Sequence, residues 1–199
     1  MKTKTILFLI ALSCSFIASA KDGDTEKTIS VSKYKTNPMH GNGLNYVSFG
    51  LEIGPTLNRS NQTYPLHFAL PVKVYLGRQK NGRFLVRTGF HYFPSIKESM
   101  WVDVKRSYIT IVPLAIGYRK NFNGWYAEGS VGAALNTGTT VFNDSSIENW
   151  SVTYREINYG IEVGKQIGDF DIGLAVYNTG PIPYHILYAG IKGSYRIKW

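Results

Sequence analysis

Apolar and polar residues alternate one by one along most of this chain. The C-terminal stretch is the clearest case. Leu187, Ala189, Ile191, Gly193, Tyr195, Ile197 and Trp199 fall on one face, and Tyr188, Gly190, Lys192, Ser194, Arg196 and Lys198 on the other. A period of two is the signature of a β-strand with two unlike faces. It recurs in Val47, Phe49, Leu51 and Ile53 against Ser48, Gly50, Glu52 and Gly54, and in Ile157, Tyr159, Ile161 and Val163 against Asn158, Gly160, Glu162 and Gly164. Gly, Asn and Asp clusters divide the chain from residue 45 into eight such segments: 45–57, 67–76, 84–94, 108–119, 125–137, 152–165, 170–178 and 185–198. Each is close to the roughly 9–11 residues of a tilted membrane strand. Long and short connections alternate between them, as in an up-and-down meander with elaborate loops at one end and tight turns at the other.

Alternation alone also fits a soluble sandwich or a secreted lipocalin-like binding barrel, with the apolar face turned inward. Four features favour a membrane. Small residues cluster on the polar face, which suits a crowded lumen. That face carries both signs of charge: Glu52, Glu128, Glu162 and Asp171 beside Lys73, Arg87, Arg119, Lys192, Arg196 and Lys198. The apolar face is almost free of charge, with Arg155 and Lys165 near strand ends, where long side chains snorkel. Aromatics gather by the short turns, at Phe84, Tyr118, Phe122, Trp125, Phe170 and Trp199, like an interfacial girdle. The expected fold is all-β: an eight-stranded antiparallel up-and-down transmembrane β-barrel over residues 45–199.

The N-terminus reads as a secretory signal. A basic start at Lys2 and Lys4 precedes the apolar run Ile6–Leu12, and Ala18-Ser19-Ala20 is a small-x-small site cut after Ala20. A lipoprotein reading of Cys14 fits less well, because the large aliphatic Leu12 stands two residues before the cysteine rather than three. Residues 21–44 are polar and read as a flexible periplasmic tail. Removing 20 of the 199 residues takes away the only cysteine and two lysines, leaving 20 basic and 13 acidic residues. Disulfides and thiol chemistry are thereby excluded from the mature chain. Its positive charge divides between lumen, tail and short-turn end, so no continuous basic face remains for nucleic acid.

Two segments carry a family resemblance. Ile109-Thr110-Ile111-Val112-Pro113-Leu114-Ala115-Ile116-Gly117-Tyr118 resembles the proline-containing strand of the porin-like outer-membrane β-barrel domain family. Trp125-Tyr126-Ala127-Glu128-Gly129-Ser130-Val131-Gly132 is similar to the strand that follows it. The resemblance extends over about residues 45–199 and implies place and architecture: the bacterial (Gram-negative) outer membrane, with its lipid as surroundings. The C-terminal residues Ile191, Tyr195, Ile197 and Trp199 resemble the signal read by the barrel-assembly machinery.

Candidate chemistry is sparse. Eight strands enclose a lumen just wide enough for side chains, so no wide pore is expected. Glu52, Lys73, Arg87, Arg119, Glu128, Glu162, Asp171, Lys192 and Arg196 are expected to form a lumenal ion-pair network. Lipid A-modifying barrels use His with Ser and acidic partners, and His91 is placed near the outer end of its strand, with His67 and His185 at loop edges. No motif of such enzymes is present, and no enzyme activity is expected. There is no Cys/His spacing of a metal site, and no cofactor is implied. Gly77–Arg83 lacks the Lys-Ser/Thr of a phosphate loop and reads as a turn, with Asn81-Gly82 supplying positive φ angles. The long connections 95–107 and 138–151 are expected outside the cell. They carry Trp101, Phe142 and Trp150, candidate contacts for an extracellular ligand. The role expected is structural or surface-interacting.

Overall fold

A computed structural model describes residues 45–77, 82–96, 104–180 and 186–198. The signal peptide, the tail 21–44, Trp101, His185 and Trp199 lie outside the described residues. Eight strands follow in chain order: β1 Tyr46–Pro55, β2 Leu66–Leu76, β3 Gly82–Pro94, β4 Val104–Phe122, β5 Trp125–Phe142, β6 Trp150–Ile167, β7 Phe170–Thr179 and β8 Ile186–Lys198. A short 3₁₀ turn, Arg59–Gln62, interrupts the first connection. Each strand pairs antiparallel with the next, and β8 returns to β1 to close the barrel. Closure satisfies the ladder on both sides of every strand, which is what a sheet needs where no water can hydrogen-bond its edges.

Burial is inverted relative to a soluble protein. Arg87, Lys73, Glu162 and Lys192 are each 2 % exposed, while Leu51 is 70 %, Leu114 65 % and Ile116 67 % exposed. Leaving such side chains in water forgoes about 1.5–3 kcal/mol apiece, repeated around the whole circumference. The outer belt therefore faces an apolar medium, and the lipocalin-like alternative, with its apolar cavity inside, does not apply. Near the short turns Phe84, Phe122, Trp125 and Phe170 stand outward, with Tyr118 edge-on to Phe84.

The short-turn end is tight. Asn123-Gly124 joins β4 to β5, both residues at positive φ, and Gly168-Asp169 joins β6 to β7. The turn before β3 differs from expectation. Gly82 opens β3 opposite Lys120 and has no positive φ; among the described residues of that turn it is Gly77, at φ 122°, that does.

The other end differs more. β4, β5 and β6 have 19, 18 and 18 residues, nearly twice what a membrane span requires. Residues 138–142 and 150–151, expected in a connection, are strand, and only 143–149 link them. The β-branched run of Thr and Val here pairs across the hairpin, Thr139 with Ser151 and Thr137 with Thr153. Their hydroxyls meet at 2.8 Å between Thr137 and Thr153. These polar residues extend the ladder above the apolar belt instead of ending it.

Two inward-facing prolines thin the wall. The β1–β2 ladder is interrupted between Phe49–Val72 and Glu52–Ala69, at Pro71, and the β3–β4 ladder between Thr88–Leu114 and His91–Ile111, at Pro113. Proline has no N–H to give. Gly89 lies between them, paired with Pro71.

Close packing at β1–β8 makes a sharp test of the closure. A Cβ on Gly54 would stand 1.9 Å from the Ala189 carbonyl oxygen, whereas one on outward-facing Gly129 would meet nothing within 4 Å. Gly54→Ala is expected to lower unfolding stability in detergent by about 1–3 kcal/mol, with Gly129→Ala unchanged, read as urea midpoints of tryptophan fluorescence.

Candidate functional site

The lumen is filled by long side chains, and the charged ones form one alternating chain. It starts at the short-turn end, where Arg196 Nε lies 3.2 Å from Asp171 Oδ1. The other oxygen, Asp171 Oδ2, accepts from Arg119 Nη1 at 2.6 Å. Arg119 Nη1 also reaches Glu128 Oε1 at 3.1 Å. Lys73 bridges Glu128 and Glu162, donating to the latter at 2.6 Å. Lys192 completes the chain on Glu162 Oε1. Four cations thus alternate with three carboxylates across six of the eight strands.

Tyrosines fill the remaining acceptor positions. Tyr126 and Tyr177 donate to Glu162 at 2.8 and 3.0 Å, and Tyr75 to Glu128 at 2.6 Å. The Arg119 guanidinium lies 3.7 Å from the centre of the Tyr126 ring. Glu162 therefore has four donors converging on it.

Two expected members stand outside this chain. Arg87 donates to the Asn158 side-chain oxygen and to Ser130 Oγ, and lies 4.2 Å over the Tyr177 ring, with no carboxylate among the described residues bonded to it. Glu52 pairs with His67 at 3.0 Å. His67, expected at a loop edge, is fully buried inside β2. Counting back by twos from Lys73 through Pro71 and Ala69 reaches it, so the signal was present in the sequence. Lys198, expected on the lumenal face with the others, is at the rim. It is 44 % exposed and donates to Asp169, whose carboxyl it holds below the usual range.

The outer half of the lumen is aromatic. Phe93, Tyr177, Tyr188 and Ile111 are buried together, with Tyr64, Ile109 and Ile186 packed against them. His91 is 1 % exposed and stacks on His67, their ring centres 5.9 Å apart. These rings and the charge chain below them fill the described lumen with buried side chains.

At the outer end, register fixes what the β5–β6 extension presents. Ala134 and Asn158 point inward, so Gly138 and Phe142 on β5 and Trp150, Val152 and Tyr154 on β6 continue the lumenal face above the mouth. Trp150 is 56 % and Tyr154 57 % exposed, and Ile147 in the turn is also exposed. The turn is pinned by Asp144, which accepts from Ser146 N at 2.8 Å and is held below its ordinary carboxyl range by that bond. Ile191, Tyr195 and Ile197 face outward along β8, from its middle to its short-turn end.

No family model matches the chain, and no curated protein matches it. Solved structures do. The barrel is similar to Ail, the attachment invasion locus protein of Yersinia pestis, solved with the heparin analogue sucrose octasulfate, at TM-score 0.58 and 12 % identity over 76 % of this chain and 97 % of that one. It is similar to Neisserial surface protein A, at TM-score 0.53 and 12 % identity over 78 % and 97 %. The outer membrane protein OprG of Pseudomonas aeruginosa matches at TM-score 0.50 and 10 % identity over 78 % and 96 %. The chain has the fold of the small eight-stranded outer-membrane barrels.

Removing one carboxylate from the lumen strands a buried cation. Glu162→Gln leaves Lys192 without its carboxylate and is expected to destabilise the barrel by about 3–5 kcal/mol. Lys198→Ala, at the exposed rim pair, is expected to leave the urea midpoint where it is.

Proposed function

We propose that this chain is a bacterial outer-membrane barrel, exported by the signal ending at Ala20, that acts by surface interaction through its outer rim and not by catalysis or bulk transport. The observation that carries the reading is the β4–β5–β6 extension. A barrel serving only as a wall gains nothing from strands that continue beyond the apolar belt. Here they continue and hold Trp150 and Tyr154 half-exposed on the face above the mouth. Exposed aromatics on a rigid ladder are a ready-made contact surface. Phe142 and Trp150 stand on strands in this extension, better fixed than they would be on loops.

Charge narrows the ligand class. Among the described residues at that end, Arg59, Lys105, Arg106 and Arg155 are offset by Asp144, Glu148 and Glu156. Ail was solved with a polyanion, but this nearly neutral rim favours an uncharged or mixed-charge ligand engaged by stacking. An enzymatic role on lipid A is disfavoured by the place of His91, inside the lumen among aromatic rings and away from the rim where lipid headgroups lie. The barrel-assembly machinery and outer-membrane lipid are the partners this reading requires.

Protease shaving of intact expressing cells tests the topology. Cleavage within 143–149 on whole cells is expected, together with a mobility shift on boiling in gels. Cleavage only after lysis would overturn it. The detergent-folded barrel, probed on arrays of immobilised glycans and surface proteins, is then expected to lose signal about 10-fold in Trp150→Ala/Tyr154→Ala. Equal binding by the variant would remove the extension as the contact surface. Lipid A is expected to be unchanged on overexpression, whereas the enzymatic alternative requires an altered profile that is lost in His91→Ala.

A further inference from the structure

The geometry points to a second site, inside the outer half of the lumen: we propose that Glu52, His67 and His91 bind a divalent transition-metal cation. The pairing register brings them together. Ala69 of β2 lies opposite Glu52 of β1 on one side and His91 of β3 on the other. His67 is two residues from Ala69 on the same face. The ligand atoms of all three residues lie within 4.8 Å of one another, and all three residues are buried.

Hydrogen bonding fixes which atoms are offered. His67 Nδ1 is 2.9 Å from the Gly54 carbonyl oxygen. A carbonyl only accepts, so Nδ1 carries the proton and Nε2 is the free-lone-pair nitrogen of the neutral ring. That lone pair faces Glu52 Oε1, a second acceptor, at 3.0 Å. Two acceptors at this separation call for a positive charge between them, a proton or a metal ion. A histidine held through Nδ1–H on a backbone carbonyl is oriented as metal-ligating histidines are.

A proton on His67 satisfies one pair of atoms and leaves others. Both ring nitrogens of His91 and Oε2 of Glu52 are buried with no hydrogen-bond partner among the described residues. A buried polar group left without a partner is costly. A cation collects lone pairs from His67, His91 and Glu52 together. Two imidazoles and a carboxylate are a donor set for zinc and its first-row neighbours, with a fourth position left open.

The surroundings favour this use. Lys192, opposite Glu52 on β8, is committed to Glu162, and Arg87 is turned to Asn158 and the Tyr177 ring, so neither cation occupies the Glu52 oxygens. Tyr188 and Phe93 pack on His67 with ring centres at 4.9 and 5.2 Å, giving a dry wall. Gly190 makes room for the carboxylate, since a Cβ there would stand 2.7 Å from Glu52 Oε1. The residues come from three strands at positions 52, 67 and 91, so no sequence spacing announces them.

The test uses the untagged chain with His40→Gln and His185→Gln, which removes the other two histidines. It is refolded from urea into detergent micelles with zinc, or with cobalt in parallel, and then desalted. About one ion retained per heat-modifiable barrel is expected, with visible cobalt bands of a low-symmetry site. His91→Gln, which breaks no hydrogen bond, and Glu52→Gln are expected to lower retention at least 10-fold. A folded parent that retains no metal overturns the proposal, as does a folded His91→Gln barrel that retains as much as its parent.

Discussion

The barrel depends on Glu162. Lipid solvates apolar side chains as well as other apolar side chains do, so the outer belt has no preference for a closed cylinder over a looser one. The ladder and the lumen must supply it. Glu162 sits where Lys73 of β2 and Lys192 of β8 reach across to β6, with hydroxyls from β5 and β7 on the same two oxygens. Five strands are tied to one carboxylate. In a low dielectric each such tie is strong only while all of its partners are present, because an orphaned charge costs several kcal/mol. The alternation of sign from Arg196 to Lys192 keeps every member of the chain beside its opposite.

That chain explains the glycines better than flexibility does. A Cβ on Gly164 or Gly173 would meet Tyr126 Oη at 2.5 or 2.6 Å, and one on Gly160 would meet the Tyr177 ring at 2.1 Å. Tyr126 and Tyr177 are the two hydroxyls that complete Glu162. At Gly160, Gly164, Gly173 and Gly190 the small residue is the space into which a named side chain from a neighbouring strand leans, whereas at Gly54 and Gly132 it lets the backbone of the next strand approach. A solvated face would have no such requirement, which is why glycine among charges distinguishes a lumen from a surface.

The sequence was legible where physics acts residue by residue. Period two, the sign of charge on each face and the position of the tight turns all act locally, and the eight strands, their facing and the set of buried charges follow from them. Partnership was not legible. Nothing along the chain says that Glu162 takes two lysines while Arg87 settles on Asn158 and an aromatic ring, because that depends on strand tilt and on which glycines leave room. The strand ends at 138–142 and 150–151 escape a sequence reading for a related reason: Thr and Ser look like loop in isolation but pair well across a hairpin. A strand that begins at residue 67 puts His67 at a loop edge, yet the alternation running back from Lys73 already includes it.

The two halves of the lumen are built to different rules. In the half nearer the short turns, the carboxylates of Glu128 and Glu162 have both oxygens occupied, and arginines stack on tyrosines. In the outer half, one Glu52 oxygen and both His91 nitrogens have no hydrogen-bond partner among the described residues, against Phe93 and Tyr188. The row Pro71, Gly89 and Pro113, where two ladders lose hydrogen bonds, lies between Lys73 and Arg87 on one side and Glu52 and His91 on the other. A wall weakened at this level is tolerable only because the charge chain below it is complete. Buried polar atoms without a partner among the described residues occur in both halves, Tyr46 Oη and Ser194 Oγ in the lower one, but only in the outer half do two imidazoles and a carboxylate converge.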